Sequence, residues 1–250
     1  MQKTAEAPDR ESLYLYEDLI VAPRQDGEGN AEGYDFHMLP RVVRSLDNIW
    51  GNILLGQSNT SFDIVFSGCG TGVGTSFLAF HLAALAAKDY GTKTLYVDVN
   101  ISQLEKTNII NYKDRPGLIS YFTEHADLAS LIHTTKQPNL HILSPGRGHQ
   151  SAKIGRLLLE GERLHEFMAT LRNEYPIVIY DCAPVTVSPW SISLCKAAAS
   201  VVLVASYALS SMEICRAAVD RLRENGVTIV GMIINKRTYP IPEKLYNWLK

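Results

Sequence analysis

The sequence predicts an α/β fold, a doubly wound and mainly parallel sheet, on three observations. Apolar strands alternate with helical segments from about residue 60 onward. A loop with four glycines, Ser67 to Ser76, lies directly between the first strand and the helix after it. Two later strands end in aspartates, Asp98 and Asp181.

Residues 1–36 are polar and acidic and include DGEGNAEG at 26–33, so they read as a flexible N-terminal arm. Residues 37–250 read as one domain, ending in a docking tail at 237–250. Its first element is an amphipathic helix over 38–55, in which Leu39, Val42, Val43, Leu46, Ile49, Trp50 and Ile53 recur at helical spacing. Six strands follow, at 62–67, 94–100, 140–146, 177–184, 200–206 and 226–236. Helices are expected at 76–89, from 116, at 153–175 and at 210–225. Strands made of unbroken Val/Ile/Leu runs are buried on both faces, which calls for a parallel sheet with helices on either side. Ligands of such sheets sit at the carboxyl ends of the strands.

Composition narrows the function classes. With 250 residues and 46% hydrophobic content there is enough chain for one core. A net charge of −2 gives no electrostatic footprint for nucleic acid. The four cysteines, at 69, 182, 195 and 215, form no CxxC pair, which favours reduced thiols in a cytoplasm. The N-terminus has no apolar signal region, and no stretch reaches the roughly 20 apolar residues that span a bilayer. Membrane association is expected only through a partner or a surface segment.

The loop SGCGTGVGTS carries glycines at 68, 70, 72 and 74. Glycines let backbone N–H groups turn inward toward an anion at the positive end of a helix. Two phosphate-binding readings fit. In one, Gly70, Thr71, Gly72, Val73, Gly74, Thr75 and Ser76 form a degraded P-loop, with Gly72, Gly74, Thr75 and Ser76 where G-x-G-K-[ST] would stand. In the other, Gly68, Gly72 and Gly74 form the nicotinamide-binding turn of an NAD(P)-dependent short-chain oxidoreductase. That enzyme type needs a tyrosine with a lysine four residues on. Only Tyr246 and Lys250 have this spacing, beyond the last strand. The P-loop reading expects an aspartate ending a second strand and another ending a later one, and Asp98 and Asp181 appear in that order. A hard cation takes oxygen ligands, so Ser76, Asp181 and phosphate oxygens make a plausible Mg²⁺ set.

On these residues the sequence resembles the P-loop NTPase-like kinase module of the bacterial tyrosine kinases that accompany capsule and exopolysaccharide synthesis, which are deviant-Walker ATPases. The resemblance runs from about Phe62 to Lys236. The family's D-A-D strand end corresponds to Asp98-Val99-Asn100, its PGL element to Pro116-Gly117-Leu118, and its I-I-D-T-P-P to Ile179 through Pro184. Its V-L-N-[KR] corresponds to Ile234-Asn235-Lys236. The resemblance implies ATP or ADP with Mg²⁺ as cofactors and Asn235 as an adenine contact. It also implies Asp98 as the catalytic residue of an active enzyme. The implied partner is the cytoplasmic part of a membrane polysaccharide co-polymerase, at the inner face of the membrane, and not nucleic acid.

Three departures bear on activity. The P-loop lysine is replaced by Thr75, and the only lysine or arginine from Asp63 to Tyr90 is Lys88. Losing a charge-assisted contact costs roughly 1.5–3 kcal/mol, and phosphoryl transfer should suffer more than binding. The family's ring-forming E-x-x-R-x-x-R helix corresponds to Arg41-Val-Val-Arg44-Ser-Leu-Asp47, which matches the middle arginine and exchanges the outer charges, so a homo-oligomer stays open. The family's tyrosine-rich tail is reduced to Tyr239 and Tyr246. A protein with weak or no kinase activity is therefore expected, with an active tyrosine autokinase as the alternative.

Overall fold

The computed structural model describes residues 40–55, 61–101, 115–146 and 161–236. Within them the chain runs α1 (Pro40–Leu55), β1 (Phe62–Gly68), α2 (Thr75–Lys88), β2 (Thr94–Asp98), α3 (Leu118–Glu124), α4 (Leu128–Leu131), β3 (Ile132–Thr134) and β4 (Leu140–Leu143). It continues with α5 (Gly161–Glu174), β5 (Ile177–Cys182), α6 (Pro189–Ala197), β6 (Ser200–Ser206), α7 (Met212–Glu224) and β7 (Ile229–Asn235). The N-terminal arm, the tail at 237–250 and its Tyr239 and Tyr246 lie outside the described residues.

The seven strands form one sheet in the order β3-β4-β2-β5-β1-β6-β7. All neighbours are parallel except β3, which runs antiparallel to β4 at the edge. Neither β3 nor α6 is expected from the sequence. A three-residue strand is too short to show an alternation, and α6 carries only a weakly sided apolar pattern behind Pro189. The strand order also decides between the two loop readings. In the usual dinucleotide-binding order the second strand lies beside the first. Here β5 is inserted between β1 and β2. The oxidoreductase alternative loses its architectural basis.

Alternate residues of the buried strands feed two cores. Val65, Val97, Val178 and Leu203 face α5, α6 and α7. Ile64, Phe66, Tyr96 and Ile179 face α2 and α1. α2 is buried at ten consecutive positions, Leu78 to Ala87, because the sheet covers one side and α1 the other. A helix apolar all round requires such double cover. The anchor of α1 is Trp50, fully buried, with its ring 6.0 Å from Phe62 and 6.1 Å from Tyr90. At the amino end of the sheet the carboxylate of Asp63 is buried on β1. It accepts from Arg172 at 2.8 Å and from the Ala199 N–H at 2.9 Å, which satisfies a charge that would otherwise be costly.

His81 sits within this second core. Its Nδ1 lies 2.7 Å from the Phe77 carbonyl, and its ring lies 4.0 Å from that of Phe77. Burial pulls its pKa down to about 4, against a smaller opposing pull from the Phe77 carbonyl. Below about pH 6.5 the unfolded chain takes up a proton that the folded chain refuses, so stability falls as the pH drops toward 4. The loss from this group should be on the order of 3 kcal/mol. Urea unfolding at a series of pH values will show that loss in the wild type. His81→Phe should remove most of that slope; an unchanged slope would contradict the assignment.

Candidate functional site

The carboxyl ends of β1, β2, β5, β6 and β7 meet on one edge of the sheet, and the glycine loop leaves β1 there. Its base is tied on both sides. The Ser67 hydroxyl donates to the Ala183 carbonyl at 2.9 Å and accepts from the Val185 N–H at 3.1 Å. The Cys69 N–H donates to Val204 of β6 at 2.8 Å, and the Thr186 hydroxyl donates to the Cys69 carbonyl at 3.1 Å. Val73 and Cys69 are buried, while Thr71 and Gly72 are exposed. Gly74 caps α2 with φ 93°, a left-handed backbone that favours glycine. The first N–H groups of α2, including those of Thr75 and Ser76, have no carbonyl one turn earlier within the helix, which makes this end a ready anion site.

Asn235 and Lys236, at the end of β7, hold the loop through its carbonyls. Asn235 Nδ2 donates to the Val73 carbonyl at 2.9 Å. Lys236 Nζ donates to the Gly72 carbonyl at 2.7 Å. A side chain on Gly74 would run into Asn235, since its Cβ would overlap Nδ2.

The two aspartates are direct neighbours. Asp98 of β2 and Asp181 of β5 are paired in register. Asp98 is buried and its Oδ1 accepts from the Asn100 N–H at 2.9 Å. Asp181 is fully buried and its Oδ2 accepts from the Tyr96 hydroxyl at 3.0 Å, while its Oδ1 has no hydrogen-bond partner. Burial raises the Asp181 carboxyl well above the ordinary carboxylate range, and the nearby Asp98 raises it further. The Ser76 and Tyr96 hydroxyls pull the other way. A buried oxygen with open lone pairs next to a hydroxyl suits a hard cation. Among the described residues no group of three His, Cys, Asp or Glu could hold a metal alone. A cation at this position would therefore need phosphate oxygens and water to complete its shell, as Mg²⁺ does when it binds with a nucleotide.

The loop residues Gly70 to Ser76, Asp98, Asp181 and Asn235 thus converge on one sheet edge. Two contributors escaped the sequence reading. Tyr96 faces Asp181 because residues two apart on β2 share a face. Lys236 was legible only as the residue after Asn235, and nothing local showed that it folds back on the loop. Cys69 interacts with Cys215, and Cys182 lies near Ser191 and Cys195. Burial pushes the thiols of Cys69 and Cys182 up to about 12, so neither is a reactive thiolate at neutral pH. On α1, Arg44 is exposed, and the side chain of Arg41 lies outside the described residues.

The AAA domain family model, AAA_31, matches residues 63–228, from the start of β1 through the loop, both aspartates and α7. The chain belongs to this P-loop family. Domains of this fold generally bind ATP or ADP with Mg²⁺. A putative tyrosine-protein kinase, EpsB of Ralstonia solanacearum, is 26% identical over 173 residues, which is 69% of this chain and 22% of that protein. The chain therefore spans less than a quarter of that relative's length. The BceF tyrosine kinase domain superposes with a TM-score of 0.67 at 25% identity, covering 77% of this chain and 76% of that one. The kinase domain of the Escherichia coli tyrosine kinase ETK shares the fold, with a TM-score of 0.69 at 17% identity over 95% of this chain and 98% of that one. No helix among the described residues is long and apolar enough to cross a membrane.

Gly74→Ala should damage this loop in two ways, through the left-handed backbone and through the clash with Asn235. A loss of roughly 1–3 kcal/mol is expected, read by denaturant unfolding. Gly161→Ala, where a Cβ meets open space, should cost far less. Equal effects at the two glycines would contradict the loop geometry.

Proposed function

We propose that this chain is a degenerate tyrosine-kinase-like P-loop protein that binds ATP or ADP with Mg²⁺ and transfers phosphate weakly or not at all. It acts as a regulator of exopolysaccharide or capsule polymerisation or export, through the cytoplasmic part of a membrane co-polymerase at the inner face of the membrane. The observation that carries the reading is a preformed glycine loop beside a buried, open-faced Asp181, in a loop that has Thr75 where the lysine would be. The loop N–H groups from Gly70 to Ser76 receive the phosphates, Ser76 and Asp181 take the Mg²⁺, and Asn235, bonded to the Val73 carbonyl, is the candidate contact to the base. Kinship with tyrosine kinases supports the regulatory role.

Asp98 favours a second reading, an active protein-tyrosine autokinase. It is buried in register with Asp181, next to where a phosphoryl group would sit, and could help activate an attacking tyrosine hydroxyl. Phosphotyrosine at Tyr239 or Tyr246, lost in Asp181→Asn, would decide for it.

Binding itself is testable by thermal unfolding. Mg-ADP at about 100 times its dissociation constant should add roughly 2.7 kcal/mol, a shift of about 5–10 °C. Asp181→Asn should abolish the Mg²⁺-dependent part of that shift. The same variant should raise Tm without ligand. A carboxyl held above its unfolded value loses folding stability as the pH rises through that range, and an amide does not. No shift of the wild type with either nucleotide would remove nucleotide binding from the proposal.

A further inference from the structure

We propose that Lys236 is the cation of the phosphate site, delivering from the end of β7 the ammonium that the loop lacks at Thr75. This rests on the loop being a nucleotide-phosphate site.

The contact is direct. Lys236 Nζ donates to the Gly72 carbonyl at 2.7 Å, and its Cε comes within 3.9 Å of where a Gly74 side chain would start. The side chain therefore crosses to the loop from a strand two places away in the sheet. An ammonium has three donors, so one bond to Gly72 leaves two for phosphate oxygens. Gly72 lies at the exposed rim of the loop, open to an incoming anion.

The strand end is shaped to hold this position. Lys236 has φ 55°, a left-handed backbone that a residue with a Cβ adopts at a cost. Asn235 supports it by accepting from the Lys236 N–H at 2.8 Å while donating to Val73. The Asn235 carbonyl in turn accepts from the Tyr207 N–H at 2.9 Å, which pins β7 to the end of β6. Strain with several supporting bonds is the pattern of a site held in place.

Two other cations among the described residues are poorly placed. Lys88 ends α2, thirteen residues after Thr75 and so about 20 Å along the helix. Arg221 is directed elsewhere, its Nη1 donating to the Thr186 carbonyl at 3.4 Å. The ligand class that fits is a di- or triphosphate chain, and the sequence offset is the reason that a reading of local motifs finds no lysine.

Calorimetric titration of the full chain with Mg-ADP and with Mg-pyrophosphate tests the assignment, using Lys236→Met, Lys236→Gln and the double variant Lys236→Met/Thr75→Lys. Both single variants should weaken both ligands about tenfold, since glutamine can keep a bond to Gly72 but carries no charge. The double variant should recover most of the loss. Wild-type affinity in Lys236→Met would overturn the proposal. So would recovery in Lys236→Gln, which would make the residue a mere latch, or a loss confined to ADP, which would place it at the base. Failure of Thr75→Lys to rescue would equally count against a charge role. If the wild type binds neither ligand, the phosphate-site reading falls and this inference with it.

Discussion

The site depends on the placement of β1 between two parallel strands. All seven of its residues are buried, so each backbone polar group along it must find a partner in β5 or β6. Register then fixes what stands at its carboxyl end. Phe66 lies opposite Asp181 and Ser67 opposite Cys182. The chain leaves β1 where the Asp181 strand also ends, so the loop amides and the carboxylate share one edge without any long connection. The Ser67 hydroxyl, bonded to Ala183 and Val185, holds those two exits together.

The same sheet contains a contrast between its two ends. Asp63, near the start of β1, is buried but fully paired with Arg172 and the Ala199 N–H. Asp181, near the end of β5, is equally buried but has one oxygen unpartnered and a second carboxylate next to it. A fold gains nothing in stability from the second arrangement, because burying charge without a partner is costly. Burial and the neighbouring Asp98 both raise this carboxyl above its ordinary range, so it favours the protonated form more than a free aspartate does. The paired aspartate is a structural tie, and the unpaired one is where a ligand would be expected.

Much of this was legible in the sequence because it is local. Unbroken apolar runs gave six of the strands, and the glycines between β1 and α2 gave the loop. Strand-terminal aspartates gave Asp98 and Asp181. What stayed hidden depends on contacts between distant segments or on elements too short to carry a period. β3 has three residues. Tyr96 reads as one more buried aromatic until the partner strand places Asp181 against its hydroxyl. Lys236 lies 164 residues from the Gly72 carbonyl it binds. A motif search asks whether a lysine follows Gly74, and it cannot see one that arrives across two strands.

The route by which a cation reaches the loop matters for what the loop can do. A lysine in the first turn of α2 would approach the phosphates from the helix side and could follow charge as it develops on the transferred group. One held at the end of β7 is tethered at its backbone by Asn235 and at its ammonium by Gly72. In the proposed role it would neutralise a phosphate chain at rest, with its reach toward the Asp181 side limited by both tethers. Only interactions that strengthen in the transition state accelerate a reaction, whereas uniform ones improve binding alone. A loop charged from β7 would therefore be better suited to holding a nucleotide than to turning it over, which is the physical link between Thr75 in the P-loop lysine position and the regulatory role proposed above.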